Sequence, residues 1–400
     1  MAKVRPFRAL RPAKELAARV IAPPYDVLSH QECRTLSRDP VHFVHVTRAE
    51  VDLPEGRDPH SDEAYAMARD NLTALVEQQA LVEDSEPRFY LYGQTMGHHT
   101  QIGVLGAASV AEYDQGQIAR HEFTRPDKED DRTHHMQVIG AQVGLVFLAH
   151  RPNAALSSLV QRLAAASPLW EVTTEDDVIH RFWVVPESET ASLEAAFEAI
   201  PTLYIADGHH RSAAASRVHA ANPNELNSTF LAGIYPSDQL QVMAYNRVVA
   251  DLNGLDAAAF LDRVGQTYEI APTDDPVPTE RGQLTMRLGD TWYRLVTRPE
   301  HRSDHPVEGL DVAVLQRRIL GPLLGIDDPR RSARIRFIGG IHGADALAVA
   351  VDDGAGVAFH LYPTGLDQLF AVADAEQVMP PKSTWFEPKL REGVVSRRIQ

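Results

Sequence analysis

The residues whose types and spacing could do chemistry lie together at Asp207 to Arg211, which read Asp-Gly-His-His-Arg. A guanidinium such as that of Arg211 can hold a phosphate or a carboxylate through two parallel hydrogen bonds. The carboxylate of Asp207 can bind Mg²⁺ beside a phosphate or accept a proton from a substrate. His209 and His210 add two side chains that titrate near neutrality. The predicted phosphate or nucleotide ligands in this turn are Gly208, His209, His210, Arg211 and Ser212.

The surrounding sequence predicts a strand, a glycine turn and a helix. Leu203, Tyr204 and Ile205 have the composition of a short buried strand, and the alanine-rich segment after the turn is typical of a helix that ends before Asn222-Pro223. This layout directs backbone N–H groups and the positive end of the helix dipole at an anion. A turn with a polar tip can also be purely structural, but two histidines and an arginine contribute little to folding that Ser or Asn would not.

The DGHHR turn resembles the phosphate-binding turn of the ParB/sulfiredoxin superfamily, in which a G-x-x-R element begins a helix. The chain as a whole resembles a bacterial and archaeal domain-of-unknown-function family of that superfamily, often labelled SpoOJ/ParA/ParB/repB-like. The other segments that carry the resemblance are Arg5 to Pro12, Ala22 to Val27, His121-Glu122 with Glu129 to Arg132, and Met379 to Thr384. The resemblance implies an α/β fold of mixed α+β type, with a ParB/sulfiredoxin-like nucleotide-binding core and an additional helical and hairpin domain.

The resemblance also implies roles for residues outside the turn. Glu122 becomes a candidate base or metal-holding carboxylate, and Arg132 becomes a candidate second phosphate contact. Tyr25 and Asp26, in a proline-bearing turn, become candidates for substrate binding. Lys382 is predicted to lie near the anion site, because the prolines and aromatic residues of the C-terminal tail suggest that it folds back on the core. The candidate metal ligands are Asp207 and Glu122, and the candidate catalytic residues are these two with His209 and His210.

Members of the superfamily include CTP-hydrolysing partition proteins, sulfinic-acid reductases that use ATP, and kinases of free serine. The reductase chemistry needs a cysteine beside the turn glycine, where this chain has His209, and its one cysteine is Cys33. DNA partitioning needs a basic DNA-binding surface, which a net charge of −16 disfavours. The sequence therefore favours a Mg²⁺-dependent kinase that transfers phosphate from ATP, ADP or CTP to a small hydroxylated metabolite, with free L-serine as one candidate.

Two alternatives stay open at this point. The turn could serve a non-catalytic regulator that responds to a nucleotide, or a phosphoester hydrolase that uses His209 and His210 as nucleophile and acid. The sequence does not choose among the three nucleotides, and it leaves open whether Glu122 or Asp207 is the base. A homodimer is also left open.

Length and composition bound the rest of the interpretation. Four hundred residues suggest more than one domain, and we predict a core at 1–250, an insertion at 251–330 and a C-terminal part at 331–400. A single cysteine agrees with a reducing cytoplasm. The chain shows neither a signal-peptide pattern nor a run of 18 apolar residues, so we expect a cytoplasmic protein that binds neither membrane nor nucleic acid.

Overall fold

The computed structural model describes residues 3–400, which form two compact units. The first unit contains residues up to 120, residues 124–240 and residues 388–400. The second unit contains residues 121–123 and 241–387. The chain therefore leaves the first unit, builds most of the second, and returns to the first with its last 13 residues.

The strands are short in the N-terminal part and longer in the central sheet. They are β1 (Val4–Arg5), β2 (Leu10–Pro12), β3 (Leu81–Glu83), β4 (Tyr90–Met96), β5 (His99–Ser109), β6 (Ile118–Ala119), β7 (Ala141–Gln142), β8 (Val146–His150), β9 (Trp170–Thr173), β10 (Val178–Val184), β11 (Leu203–Asp207), β12 (Thr229–Pro236), β13 (Gln241–Met243), β14 (Tyr245–Val249), β15 (Tyr268–Pro272), β16 (Gln283–Leu288), β17 (Thr291–Thr297), β18 (Ile335–Gly339), β19 (Val357–Leu361), β20 (Trp385–Glu387) and β21 (Arg397–Arg398).

The α-helices lie between these strands. They are α1 (Ala17–Val20), α2 (His30–Leu36), α3 (Val44–Thr47), α4 (Asp62–Glu77), α5 (Val110–Asp114), α6 (Pro126–Ile139), α7 (Ala154–Ala164), α8 (Thr190–Glu198), α9 (His209–Ala221), α10 (Ala257–Val264), α11 (Asp311–Leu315), α12 (Asp345–Asp352) and α13 (Leu366–Asp374). Within residues 3–400, no helix combines the length and the apolar character that a membrane span requires.

A nine-stranded mixed sheet forms the centre of the first unit. Its strands follow the order β6-β11-β8-β12-β5-β4-β10-β9, and β1 pairs with β5 at one side of this path. The pairs β11–β6 and β12–β8 are parallel, whereas the other pairs of the sheet are antiparallel. The structure therefore agrees with the predicted mixed α/β class of α+β type. Its relation to the ParB/sulfiredoxin core stays a prediction.

The second unit has a sheet of its own with six strands, in the order β15-β17-β16-β19-β14-β18. Strands β16 and β17 form an antiparallel hairpin with its turn at Gly289-Asp290. Because this sheet takes strands from both 268–297 and 335–361, residues 251–330 and 331–387 share one unit. The division of the chain thus differs from the predicted segments 1–250, 251–330 and 331–400.

The strand β11 and the helix α9 confirm the elements predicted around the DGHHR turn. Leu203 and Ile205 of β11 lie in the same hydrophobic core as Ala214 and Val218 of α9. Small side chains on the inner face of α9 allow the helix to pack closely, and its neighbours include α6 and α5. The turn between β11 and α9 is therefore fixed by buried elements on both sides.

Two local features lie just before the acidic-basic cluster at 128–132. Pro126 does not break the chain but is the first residue of α6, a position where the missing N–H of proline costs nothing. His121 and Glu122 do not end a strand, since the strand before them stops at Ala119. The acidic-basic cluster at 128–132 consequently lies on a helix that packs beside α9.

Candidate anion-binding site

The predicted turn has the backbone geometry of an anion-binding helix start. Gly208 precedes α9 with a φ of 94°, in the left-handed region that glycine adopts without steric cost. No side chain caps this helix N-terminus. A register shift between Ile205 and Asp207 in the pairing of β11 with β8 accompanies the end of the strand. The extra residue at this shift is Ala206, directly before Asp207, and such irregularities are common beside functional sites.

Arg211 lies in the first turn of α9, close to two carboxylates that it does not touch. Its guanidinium nitrogens are 3.9 Å from Asp207 Oδ2 and 4.0 Å from Glu392 Oε1, beyond hydrogen-bond distance. Its Nε is buried and has no hydrogen-bond partner within residues 3–400. Burial lowers the pKa of Arg211, but Asp207, Tyr25, Asp26 and Glu392 outweigh it, so the pKa lies above its ordinary value. Arg211 is thus a charged side chain that lies near two carboxylates and, among residues 3–400, has one donor, Nε, without a partner.

Two glycines make room for this guanidinium. A Cβ added at Gly208 would lie 3.0 Å from Arg211 Nε and 3.2 Å from the Cα of Val146. A Cβ added at Gly144 would lie 3.1 Å from Arg211 Cδ and 3.5 Å from Glu392 Oε1. The shortest distance at each glycine, 3.0 Å at Gly208 and 3.1 Å at Gly144, is tighter than nine in ten real Cβ contacts. Gly144, just before β8, is therefore a site residue that its sequence context did not single out.

The side chain of Asp207 is an ionised carboxylate at and around neutral pH. Partial burial by itself raises the pKa of Asp207, but Lys389, Arg211 and the backbone N–H of Gly208 outweigh it and hold the pKa well below its ordinary range. The Gly208 N–H donates to Asp207 Oδ1 at 2.8 Å. The side chain remains 45% exposed. A permanently charged, accessible carboxylate suits the binding of a cation better than proton transfer near neutrality.

Arg132 and Tyr25 form a second pair at the same site. The Arg132 guanidinium lies 4.4 Å from the centre of the Tyr25 ring, a cation–π distance. Its Nε donates to Asp131 Oδ2 at 2.7 Å. Asp131 in turn accepts the Tyr65 hydroxyl at 2.6 Å, so the pair is anchored in the core. Burial lowers the pKa of Arg132, but Tyr25, Asp131 and Glu392 raise it above its ordinary value.

The predicted turn around Tyr25 and Asp26 is present at residues 25–27, and Asp26 is exposed. Arg48 fixes this turn, since its Nη1 donates to the carbonyls of Tyr25 at 3.0 Å and Leu28 at 3.1 Å. Burial raises the pKa of Tyr25 above its ordinary value, with Arg132 opposing the shift. The structure therefore brings Tyr25, Asp26, Arg132, Asp207 and Arg211 together, as the sequence proposed from separate motifs.

The C-terminal segment supplies two site residues to which the sequence gave no role. Glu392 pairs its backbone with Ala22, with N···O distances of 2.9 and 2.8 Å in the two directions, which places it beside the 25–27 turn. Lys389 interacts with the Asp207 carboxylate. The sequence did indicate that the tail folds back, and residues 388–400 do rejoin the first unit. The sequence analysis selected Lys382 rather than Lys389, because the two lysines cannot be distinguished without knowing the path of the C-terminal tail.

The remaining predicted ligands of the turn are His209, His210 and Ser212. His210 Nε2 accepts the backbone N–H of Arg125 at 3.1 Å, which ties the turn to the start of α6. His209 is buried, with 6% of its surface exposed. Ser212 is fully buried and its hydroxyl donates to the His209 carbonyl at 3.0 Å, so this hydroxyl serves the helix rather than a phosphate.

Two predicted site residues belong to the second unit. Glu122 lies in the short segment 121–123, and Lys382 has its Nζ 5.4 Å from the centre of the Tyr245 ring. Their predicted contacts with the turn stay predictions. Among residues 3–400, no group of three or more His, Cys, Asp or Glu side chains is arranged to hold a metal ion. A Mg²⁺ ion could still be held by the single carboxylate of Asp207 together with phosphate oxygens, the arrangement that Mg²⁺ often adopts.

Fold and site together define an α+β protein whose first unit carries a candidate anion-binding turn at a strand end. The chain belongs to the family described as "Protein of unknown function (DUF1015)", whose model matches residues 4–313. No curated protein matches the sequence.

Several solved structures show a distant likeness. A free serine kinase mutant in complex with ADP is 14% identical, with a TM-score of 0.36 over 71% of this chain and 87% of the kinase. A conserved hypothetical protein from Pyrococcus furiosus is 13% identical, with a TM-score of 0.35 over 71% of this chain and 90% of that one. C-terminally truncated SbnI from Staphylococcus aureus is 11% identical, with a TM-score of 0.40 over 71% and 82%.

Proposed function

We propose that this protein is a nucleotide-dependent phosphotransferase that acts on a small hydroxylated metabolite, with free L-serine as the first acceptor to test. The donor would be ATP, ADP or CTP, with its phosphates at the turn between β11 and α9. The kinase reaction itself comes from the motif resemblance of the DGHHR turn. The geometry of the turn supports the phosphate-binding part of the proposal.

One observation carries the proposal: the Arg211 guanidinium lies at a helix N-terminus and forms no hydrogen bond with the two carboxylates near it. Its nearest carboxylate oxygens stand 3.9 and 4.0 Å away. A purely structural arginine in this position would be expected to form closer, bidentate contacts. Arg132 adds a second positive charge to the same cluster, since both arginines interact with Tyr25 and Glu392. Its Nε and Nη2 are already paired with Asp131 Oδ2 at 2.7 and 2.6 Å, which leaves Arg211 as the main candidate ligand and Arg132 as a secondary one. Preorganised cations of this kind stabilise the charge that develops on a transferred phosphoryl group.

In the reaction, the acceptor hydroxyl oxygen forms a bond to the terminal phosphorus of the donor while the bond from that phosphorus to the bridging oxygen breaks. The nucleotide leaves with one phosphate fewer, and the hydroxyl proton passes to a base. Arg211 and Arg132 would bind the phosphate oxygens, and Asp207 would hold Mg²⁺. A Mg²⁺ ion neutralises phosphate charge in such reactions. The low pKa of Asp207 makes it a weak base, which leaves Glu122 as the stronger candidate for that role.

The regulator alternative has one supporting observation. Lys389 interacts with Asp207 and is separated by a single residue from the end of the second unit at Glu387. An anion that competes for Lys389 would therefore act on the chain close to the junction of the two units. The hydrolase alternative has less support, because His210 Nε2 already accepts a backbone N–H.

The test is phosphate-donor turnover, read by phosphorus NMR. Purified protein and Mg²⁺ are incubated with ATP, ADP or CTP and a pool of hydroxy metabolites that includes L-serine. We expect a new phosphomonoester that disappears in Arg211→Ala and persists in Arg336→Ala, a control at an exposed arginine of β18. Nucleotide binding without turnover would replace the kinase by the regulator. Absence of both would contradict a nucleotide site at this turn.

A further inference from the structure

Glu392 is a buried carboxylate for which the proposed reaction has no role. It is 4% exposed, and its Oε2 has no hydrogen-bond partner within residues 3–400. Its other oxygen stands 4.0 Å from the Arg211 guanidinium. A buried carboxylate with an unsatisfied oxygen is costly to maintain, so its presence calls for an explanation.

The two residues with unsatisfied groups, Arg211 and Glu392, line the same cavity. A space of about 30 Å³, enough for a water molecule, is lined by residues that include Tyr25, Arg132, Arg211 and Glu392. Arg211 Nε, a donor, and Glu392 Oε2, an acceptor, are both buried without partners. Arg211, which we propose as the main phosphate ligand, is thus part of the wall of this cavity. Any change of charge within it acts on Arg211 at short range.

We propose that Glu392 is a positioning residue for Arg211, and that its charge determines how strongly the turn binds a dianion. This inference rests on the proposed function only in that the turn binds phosphate. With Glu392 neutral, one carboxylate fewer competes with the ligand for the Arg211 guanidinium. With Glu392 ionised, its carboxylate attracts the Arg211 guanidinium inward and repels a dianion.

The groups that face Glu392 come from several elements. They are Arg211 from α9, Arg132 and His135 from α6, Tyr25 and Asp26 from the 25–27 turn, and Thr47 from α3. Burial raises the pKa of Glu392 to about 7, Asp26 adds to the shift, and Arg211, Thr47 and Arg132 oppose it. Burial lowers the pKa of His135 to about 3, so this imidazole stays neutral. Among the side chains that line the cavity, Glu392 is therefore the one whose charge changes near neutrality.

Binding of a dianion at the turn and ionisation of Glu392 oppose each other. A bound dianion favours the neutral form of Glu392, so binding takes up a proton when the pH is near 7. The affinity of the turn for a dianion must then fall as the pH rises through this range. Inorganic phosphate is a poor probe because it titrates in the same window. Sulfate keeps its charge and tetrahedral shape, and it serves as the probe.

The experiment is calorimetric titration of the full chain with sulfate from pH 6 to pH 8.5. We expect the affinity of the unmodified protein to fall about tenfold across this range, as a like charge is created close to the anion. Glu392→Gln keeps the side-chain volume and should bind sulfate at pH 8.5 about as well as the unmodified protein does at pH 6. Glu112→Gln is the matched control, a buried glutamate that accepts the Lys3 N–H and does not line the cavity; it should retain the full pH dependence.

A second measurement uses only the unmodified protein. Titrations at pH 7 in two buffers of different ionisation enthalpy give the number of protons taken up, which we expect to be a substantial fraction of one. No uptake, or a pH dependence that Glu392→Gln leaves unchanged, would overturn the role of Glu392 while leaving the anion site intact. A lack of sulfate binding at every pH would instead overturn the anion site and the proposed function with it.

Discussion

Two glycine turns in this chain follow a strand and precede a helix, but their glycines are required for different physical reasons. In the first unit, Gly208 has a positive φ and leads into a helix whose first turn carries Arg211. In the second unit, β18 ends at Gly339 and continues through Gly340 into a short 3₁₀ turn. A Cβ on Gly339 would lie 2.6 Å from the Trp385 ring, and one on Gly340 would lie 2.8 Å from a backbone oxygen.

The comparison shows why a glycine-rich pattern by itself says little about phosphate binding. The glycines at 339 and 340 are explained by close packing, whereas Gly208 is explained by backbone conformation together with the space that Arg211 needs. The second loop has neither a lysine nor a G-x-G-x-x-G frame, so its glycines alone are a weak indication of phosphate binding. The distinguishing feature of the first turn is a buried cation beside it.

The largest effect is expected from removal of this cation. Arg211→Ala should weaken sulfate or nucleotide binding by about 100-fold, because a bidentate, charge-assisted contact is lost. Arg336→Ala, on the strand before the second glycine loop, should leave binding unchanged. Both affinities can be measured by calorimetry. Equal affinities in the two variants would place the anion site elsewhere.

Each unit also contains a carboxyl group whose pKa is raised by burial, Glu392 in the first and Asp311 in the second. Burial raises the pKa of Glu392 from 4.5 to about 7 and that of Asp311 from 3.8 to about 6. In both cases the folded protein binds the proton more tightly than the unfolded chain does. The resulting contribution to the free energy of unfolding is complete below the unfolded-state pKa and is lost as the pH rises through the folded-state pKa. We expect each loss to be about 2–3 kcal/mol.

Denaturant titrations at pH 4.5 and pH 8 check this point. Glu392→Gln and Asp311→Asn should each reduce the loss of stability over their own pH window. Only Glu392→Gln should also change the pH dependence of sulfate binding. If Asp311→Asn changed the pH dependence of sulfate binding as well, this dependence could not be assigned to the cavity lined by Arg211 and Glu392.

Gly208→Ala and Gly343→Ala compare positive-φ glycines in the two regions. At Gly343 an added Cβ meets nothing within 4 Å, so the cost is backbone strain of about 1–2 kcal/mol. At Gly208 the same strain is joined by contacts with Arg211 and Val146. Gly208→Ala should therefore be the less stable variant and should weaken anion binding about tenfold. Unchanged sulfate affinity in Gly208→Ala would show that its turn does not hold the anion.

The smallest expected effect separates the two tail lysines. Lys389→Ala removes a positive charge that interacts with Asp207 and should weaken sulfate binding roughly threefold to tenfold. Lys382→Ala tests the residue that the sequence selected, and we expect a smaller change because Lys382 faces the Tyr245 ring. Calorimetry at low ionic strength gives the best resolution, since salt screens such contributions. A larger loss in Lys382→Ala would restore the sequence-based choice.

The sequence by itself determined the parts of this protein that depend on near neighbours. The strand, the glycine and the helix at 203–221 follow from apolar composition, from the conformational freedom of glycine and from the helix propensity of alanine. The rigid turn presenting Tyr25 and Asp26 follows in the same way from its prolines. Motif resemblance then added Arg132, which the structure places over the Tyr25 ring.

Only the tertiary structure decided which distant side chains complete the site. Glu392 is there because its backbone pairs with Ala22, and Lys389 is there because the last residues rejoin the first unit. Neither position has a local pattern that predicts its neighbours, since strand pairing and chain return are set by burial across the whole fold. The raised pKa of Glu392 has the same origin, because a carboxylate loses its solvation only when the surrounding elements close over it.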